Sequence, residues 1–120
     1  MIEILPESEG NVLGVRVSGK LTLEDYKEIL IPALNRILKQ HHTVRFLTIV
    51  DETFRGRDLA ATVENFKLGL KIRKQVEKSA IVTDSKLIRV LAYIGSYFAR
   101  GPVKTFPQSK LQAAWKWIKA

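Results

Sequence analysis

The chain has 120 residues, of which 46% are hydrophobic and 27% are charged, as expected for a single soluble domain over residues 1–120. It contains no cysteine, which excludes disulfides and thiolate metal sites. No apolar run reaches the ~18 residues that span a bilayer, and the N-terminus lacks a basic segment followed by an apolar run. The expected location is therefore cytoplasmic.

The net charge of +8 is concentrated in the second half of the chain. Residues 1–52 carry 6 Lys and Arg against 8 Asp and Glu, whereas residues 53–120 carry 14 against 4. Such a surface attracts nucleic acid, an anionic membrane or an acidic protein, although a basic surface that only faces water gives the same pattern.

The first predicted elements are a β-hairpin and a helix. Residues 1–5 and 12–17 are apolar stretches separated by a proline and a polar turn, which predicts two paired strands. Thr22 followed by Asp25 is a helix-capping pattern. The helix that begins there has an apolar stripe formed by Leu23, Tyr26, Leu30, Ala33, Leu34, Ile37 and Leu38. Pro32 lies inside this helix and predicts a kink in the turn before it.

Residues 44–50 form the predicted central strand, because they are β-branched or aromatic and almost all apolar. In α/β sheets, functional groups usually lie beyond the carboxyl ends of such strands. The polar residues that follow this strand are Asp51, Glu52, Thr53, Arg55, Arg57 and Asp58. Their spacing matches no known catalytic motif.

Two helices and a strand are predicted next. Asp58 is expected to cap a helix whose inward stripe is Leu59, Val63, Phe66 and Leu70. The cations of this helix are expected to point away from the stripe, and they are Lys67, Lys71, Arg73 and Lys74. Residues 79–83 form a predicted buried strand, after which Asp84 is expected to cap a helix over residues 85–99.

The helix over residues 85–99 has more apolar side chains than one buried face requires. Its expected core face consists of Leu87, Ile88, Leu91, Ala92, Gly95 and Phe98. A second apolar strip consists of Val90, Tyr93, Ile94 and Tyr97. This strip needs a cover, and a second copy of the chain in a homodimer is the one we favour. A lipid or other small apolar ligand, an anionic membrane surface or another part of the domain are the alternatives.

The chain ends with a predicted strand over residues 103–106 and a helix capped by Ser109. The inward side chains of that helix are expected to be Leu111, Ala114, Trp115 and Ile118. The element order β-β-α-β-α-β-α-β-α predicts one α/β domain with a mixed, mostly parallel sheet of four to five strands and about four helices.

The chain resembles the SpoIIAA-like family of small STAS-fold proteins in the segments NVLGVRVSGKLTLEDYKEILIPAL, FKLGLK and WKWIK and in the strand end Val50-Asp51. The likeness spans nearly the whole chain, and VSGKLTLEDY followed by IPAL is its most specific part. The resemblance implies a STAS-type sheet backed by helices, related to anti-sigma-factor antagonists and more distantly to CRAL-TRIO lipid-exchange domains.

Classical anti-sigma-factor antagonists carry a phosphorylated serine at the start of the helix that follows the central strand. In this chain the hydroxyls near that position are only those of Thr53 and Thr62. The resemblance therefore implies a regulatory module without the classical phospho-serine switch, and we expect no stoichiometric phosphate on either threonine.

Enzymatic activity is not expected from the sequence. There is no GxSxG turn and no glycine-rich phosphate loop before a helix. His41 and His42 are adjacent and have no further ligands nearby in the sequence, so neither a metal nor another cofactor is expected.

Two functions of different classes remain. In the first, the chain is a regulatory interaction module, and its protein partner docks on Asp51, Thr53, Arg55, Arg57, Asp58, Lys67, Lys71 and Lys74. In the second, it binds a lipid, another small apolar ligand or an anionic membrane through the strip Val90, Tyr93, Ile94 and Tyr97, beside the cations Lys86, Arg89 and Arg100. Binding of nucleic acid is disfavoured, because no aromatic and basic recognition motif is present.

Overall fold

A five-stranded sheet forms the centre of the computed structural model, which describes residues 1–120. The strands lie in chain order across the sheet: β1 Ile2–Ile4, β2 Val12–Val17, β3 Val44–Val50, β4 Val76–Val82 and β5 Val103–Phe106. β1 is antiparallel to β2, whereas β2 to β5 are parallel to one another. The predicted hairpin and the mixed, mostly parallel sheet are confirmed.

Helices form the crossovers between the parallel strands, and one further helix follows β5. They are α1 Leu23–Asp25, a π-helical turn Tyr26–Leu30, α2 Ile31–His41, α3 Leu59–Ile72, α4 Lys86–Ser96 and α5 Leu111–Lys119. Short 3₁₀ turns, Arg73–Gln75 and Gln108–Lys110, lead into β4 and α5. Since α1, the π turn and α2 are continuous, the chain has the four helical segments that were predicted. None of them has the length and hydrophobicity that crossing a bilayer requires.

The first helical segment begins where its sequence predicts. The hydroxyl oxygen of Thr22 accepts a hydrogen bond from the Asp25 N–H at 3.3 Å, and Asp25 Oδ2 accepts one from the Thr22 N–H at 2.9 Å. The π turn lies just before Pro32, whose missing N–H interrupts the regular helical pattern. Leu34 has no exposed surface, which confirms the predicted inward side of this segment.

Each face of the sheet has its own hydrophobic core, because successive side chains of a strand point to opposite faces. On one face, α2 and the ends of α3 cover side chains such as Leu13 and Val15 of β2. On the other face, α5 covers the sheet with Ala114, Trp115 and Ile118, as its apolar spacing predicts. Ile88 of α4 also packs against the first of these cores, so α3 and α4 lie on the same face as α2.

The start of β4 differs from its prediction. The strand begins at Val76 rather than at residue 79, and Val76 pairs with Val44 of β3. The two charged residues that obscured this start are accommodated by hydrogen bonds, since Glu77 accepts one from Arg45 and Lys78 donates one to a backbone carbonyl of α5.

Two predicted helix caps are also wrong. Ser85 caps α4 in place of Asp84, because its hydroxyl accepts a hydrogen bond from the Ile88 N–H at 3.3 Å. Asp84 instead accepts one from the backbone N–H of Gln108 at 2.9 Å. The 3₁₀ turn before α5 replaces the cap expected from Ser109, and α5 has no side-chain cap.

The C-terminal end of α4 also differs from its prediction. This helix ends at Ser96, three residues earlier than predicted.

The prediction that the larger apolar stripe of α3 faces the core is wrong. All four of its members are exposed, and they are Leu59 at 81%, Val63 at 45%, Phe66 at 68% and Leu70 at 61%. The buried residues of α3 are Ala61 and Ile72, which lie on the opposite side of the helix. Periodicity shows that an apolar stripe exists, but the turns at both ends of the helix determine which side faces the sheet.

The expected core face of α4 is also wrong in part. Leu87, Leu91 and Phe98 are exposed, and no residue of α4 is fully buried. The side that faces the sheet is formed by the partly buried Ile88 and Ala92. Helix α4 therefore buries fewer apolar side chains against the sheet than the number of apolar residues in its sequence predicts.

Candidate functional site

An apolar cavity of about 500 Å³ lies between the sheet and the helices α3 and α4. It exists because α3 is buried only near its two ends and α4 contributes no fully buried side chain. Its floor is formed by Val15, Val17, Phe46, Thr48, Ser79 and Ile81 of β2, β3 and β4. Since 14 of its 22 lining residues are hydrophobic, the cavity suits the apolar part of a ligand.

Small residues keep this cavity open from both sides. Gly69 of α3 and Gly95 of α4 line it, and a Cβ at either position would meet no atom within 4 Å. On the sheet side, Thr48 and Ser79 occupy floor positions where a larger side chain would enter the space. These four residues are the signal in the sequence that could have indicated the cavity, which our sequence-based prediction missed.

A buried tyrosine connects three elements at one end of the cavity. Tyr26, only 1% exposed, donates a hydrogen bond from its hydroxyl to Asn65 Oδ1 at 2.9 Å and accepts one from Arg57 Nε at 2.6 Å. Burial raises the pKa of the Tyr26 phenol, and the opposing effect of the Arg57 guanidinium is smaller. The phenol is therefore protonated at neutral pH.

Three arginines give the cavity lining a positive charge. Arg57 lies beside Tyr26, and Arg73 donates a hydrogen bond from Nε to the carbonyl oxygen of Phe98. Arg100, two residues after Phe98, also lines the cavity. None of the three forms an ion pair with a carboxylate. Their remaining N–H groups are therefore available for an anion.

The loop after β3 is fixed by its own hydrogen bonds. Thr53 donates from its hydroxyl to Asp51 Oδ2 at 2.6 Å and from its N–H to the same oxygen at 3.0 Å. These bonds from Thr53 hold the pKa of the Asp51 carboxyl below its usual value, and the nearby Arg16 guanidinium acts in the same direction. The loop is also hydrogen-bonded to the chain before α1, because the Leu21 N–H donates to the Gly56 carbonyl at 2.9 Å.

The eight residues of the predicted partner surface are not gathered into one compact site. Asp58 caps α3 by accepting a hydrogen bond from the Ala61 N–H at 2.8 Å, and Arg57 is directed to the cavity. The other six side chains are partly or fully exposed, and they are Asp51, Thr53, Arg55, Lys67, Lys71 and Lys74. Since the chain between Asp58 and Lys74 is mainly helical, these two positions are about 24 Å apart. The eight residues therefore form an extended surface and not a pocket.

The predicted strip of α4 is exposed along its whole length. The exposed fractions are 55% for Val90, 65% for Tyr93, 51% for Ile94 and 72% for Tyr97. The hydroxyl oxygens of Tyr93 and Tyr97 are 3.0 Å apart, and their rings meet edge to face. No neighbouring loop or helix covers the strip, and the exposed Leu87, Leu91 and Phe98 extend it.

A second, more polar depression of about 480 Å³ lies beyond the carboxyl ends of β3 and β4. Its lining includes the carboxylates of Asp51, Glu52 and Asp84. Asp51 and Asp84 already accept hydrogen bonds within the domain, from Thr53 and from the Gln108 N–H. No three His, Asp or Glu side chains are arranged so that they could hold a metal ion.

Comparisons with known proteins agree with this architecture. Residues 12–119 match the SpoIIAA-like family. No curated protein matches the chain. Among solved structures, the chain is similar to an uncharacterized protein from the DUF3478 family with a SpoIIAA-like fold from Shewanella loihica PV-4. The TM-score is 0.80, and the identity is 28% over 98% of this chain and 93% of that one. Because the family match covers most of the residues and the five-stranded fold agrees with it, the chain belongs to the SpoIIAA-like family.

Proposed function

We propose that the protein is a non-catalytic binding module that holds a small amphipathic molecule in the cavity beneath α3 and α4. The cavity itself is the observation that supports this function, because its volume of about 500 Å³ lies in the usual range of ligand pockets. The apolar floor would remove the hydrophobic part of a ligand from water, at ~25 cal/mol for each Å² buried.

The polar groups of the cavity favour an acidic head on this molecule. Arg57, Arg73 and Arg100 line the cavity without carboxylate partners. A guanidinium binds a carboxylate or a phosphate through two parallel hydrogen bonds. A fatty acid or an acidic lipid fragment has both the apolar chain and the anionic head that match this lining.

The lining also supports binding without catalysis. It contains no Asp, Glu, His, Cys or Lys side chain, and therefore none of the usual general bases or strong nucleophiles. The phenol of Tyr26, whose pKa is raised by burial, is a hydrogen-bond donor at neutral pH. These residues bind and orient a ligand.

Fluorescence titration with a dansyl-labelled fatty acid tests this function. The wild-type protein should give saturable binding with one ligand per chain. Ser79→Phe places a ring on the cavity floor and should weaken binding by roughly tenfold or more, since it occupies the space of the ligand. Ser109→Phe adds the same ring at an exposed position outside the cavity and should bind as the wild type does.

Failure of the wild type to bind, or equal affinities for all three proteins, would contradict the proposed site. The acidic head is tested separately with Arg73→Gln combined with Arg100→Gln. This variant should lose affinity for the fatty acid and keep its affinity for the corresponding fatty alcohol, because only the acid interacts with the guanidinium groups.

Docking of a protein partner is the second candidate function, and with it the chain would be a regulatory interaction module. It is favoured by the exposure of the loop residues Thr53 and Arg55 and of three lysines on α3 and the 3₁₀ turn after it. These lysines form no ion pair, and they are Lys67, Lys71 and Lys74. An acidic protein surface would complement these cations.

Cross-linking in the native host followed by mass spectrometry tests this second function. A protein that cross-links to the wild type but not to the triple variant Lys67→Glu, Lys71→Glu and Lys74→Glu would support it. Identical sets of cross-linked proteins would contradict it.

A further inference from the structure

Nearly all the large hydrophobic side chains that the domain exposes lie on the outward sides of α3 and α4. There are twelve such side chains, and eleven of them belong to α3, to α4 or to the two residues after α4. They are Leu59, Val63, Phe66 and Leu70 on the first helix, and Leu87, Val90, Leu91, Tyr93, Ile94, Tyr97 and Phe98 on the second. We call this surface the α3–α4 face.

Exposed apolar residues of α3 and just after α4 border the same cavity. On α3 the exposed residues are three or four positions apart, which places them on one side of the helix. Phe66 and Leu70 of α3 and Phe98 after α4 line that cavity. The apolar sides of the two helices therefore lie on either side of it.

Cations border the apolar part of this face. Seven of them lie on α3, on α4 and in the residues just after these helices: Lys67, Lys71, Arg73, Lys74, Lys86, Arg89 and Arg100. Glu64 is the only acidic residue in the same segments, and none of the seven cations forms an ion pair. The face thus combines a large apolar area with an uncompensated positive charge.

We infer that the α3–α4 face docks the protein on the surface of an anionic lipid bilayer. Interfacial helices bury an apolar side at the level of the lipid headgroups, with Lys and Arg beside the anionic phosphates. Tyr93 and Tyr97 fit this position, because a tyrosine has an apolar ring and a hydroxyl that remains hydrated at the interface.

A second copy of the chain matches this face less well than a bilayer does. A two-fold dimer through the α3–α4 face would bring seven unpaired cations of each copy towards seven of the other, and like charges repel. An anionic bilayer supplies both the apolar layer and the negative charge. Docking does not require a ligand in the cavity, so this inference stands independently of the proposed function.

Sedimentation with vesicles tests the inference on the full chain. The wild type should pellet with vesicles of phosphatidylglycerol and phosphatidylcholine, should pellet less at high salt, and should stay in solution with phosphatidylcholine alone. Tyr93→Glu combined with Tyr97→Glu should abolish pelleting, because both side chains would bring negative charge into the docking layer. A circular dichroism melt establishes that this variant is folded.

Two double variants that remove the same total charge show whether vesicle binding depends on the position of that charge. Lys67→Gln with Lys71→Gln should weaken vesicle binding by roughly tenfold or more, since each lysine near an anionic surface contributes about 1 kcal/mol. Lys110→Gln with Lys116→Gln removes the same charge beside and on α5, on the opposite face of the sheet, and should leave binding nearly unchanged.

Three results would overturn the inference. The first is a wild type that stays in solution with anionic vesicles. The second is an equal loss of binding for both pairs of lysine substitutions. The third is a dimer in light scattering that the two tyrosine substitutions dissociate. The cavity variant Ser79→Phe keeps the α3–α4 face intact, so it should still pellet. Loss of fatty-acid binding and loss of docking are therefore distinguishable.

Discussion

Leu34 and Leu70 both lie on helices, but only Leu34 is removed from water. Leu34 has no exposed surface, whereas Leu70 is 61% exposed. Leu34→Ala should lower the free energy of unfolding by about 2–5 kcal/mol, because it removes buried contacts and leaves a cavity. Leu70→Ala should change it by less than about 0.5 kcal/mol. Denaturant titrations measure both differences, and similar losses for the two variants would contradict this assignment of burial.

Glu77, near the start of β4, contacts Arg45 near the start of β3 and Asn11 just before β2, and it makes stability depend on pH. It accepts hydrogen bonds from Arg45 Nε at 2.8 Å and from Asn11 Nδ2 at 3.0 Å. The bond from Arg45 lowers the pKa of the Glu77 carboxyl below its ordinary value of 4.5, against a smaller opposing effect of burial. Because the folded-state pKa is lowered, this contribution to stability is present above pH 4.5 and is lost as the pH falls through the folded-state pKa.

The variant Glu77→Gln tests this pH dependence. The wild type should be more stable than the variant at pH 7, and the difference should shrink as the pH is lowered below 4.5. The effect should be modest, because Glu77 is partly exposed and water screens the pair. Denaturant titrations over this pH range measure it, and a difference independent of pH would show that the ionised carboxylate is not the cause.

Sequence separation explains which of these residue contacts could be predicted. Thr22 and Asp25 are three positions apart, and their capping pattern follows from local geometry. Glu77 contacts Arg45 and Asn11 only after β2, β3 and β4 are aligned in the sheet. No local pattern marks that contact.

Helix α3 shows why amphipathic spacing alone does not give orientation. It has a large apolar stripe that includes Leu59 and Phe66, and a smaller one that includes Ala61 and Ile72. The sequence-based rule places the larger stripe inward, but the structure buries the smaller one. The Asp58 cap and the short turn into β4 fix the rotation of the helix, and the larger stripe is left for an external surface.

Helix α5 packs against β2 through a close contact between the Trp115 ring and the backbone of Gly14. The Trp115 ring occupies the space that a Cβ of Gly14 in β2 would need. Gly14→Ala should therefore destabilise the fold by about 1–3 kcal/mol, although alanine is otherwise better than glycine in a strand. The same substitution in a Trp115→Leu background should cost less, because the smaller side chain leaves room. Equal costs in both backgrounds would show that Trp115 does not restrict this position.

The order of elements determines most of the fold at the scale of the whole molecule. Strands that alternate with helices lead to parallel crossovers, so the sheet and its four helical segments follow from the pattern and from the family resemblance. The cavity could not be predicted in the same way. Its volume depends on how far α3 and α4 lie from β2, β3 and β4, and that distance is set by contacts between distant parts of the chain.

The same cavity predicts that the domain is unevenly stable. Helix α3 buries only Ala61 and Ile72 and α4 buries no residue fully, whereas α2 and α5 are anchored in the two cores. Segments with few buried contacts open at lower free energy than the rest of a domain. Amide hydrogens of α3 and α4 should therefore exchange faster than those of α2 and α5 in hydrogen-exchange mass spectrometry.

A fatty acid in the cavity should slow exchange in α3 and α4 more than elsewhere, because the ligand would bridge both helices to the sheet floor. The variant Ser79→Phe is the control, since its occupied floor should prevent this selective protection. Rates in α3 and α4 that match those of α2 without a ligand would contradict the uneven stability. Uniform slowing over all helices would instead show that the ligand does not act through the cavity.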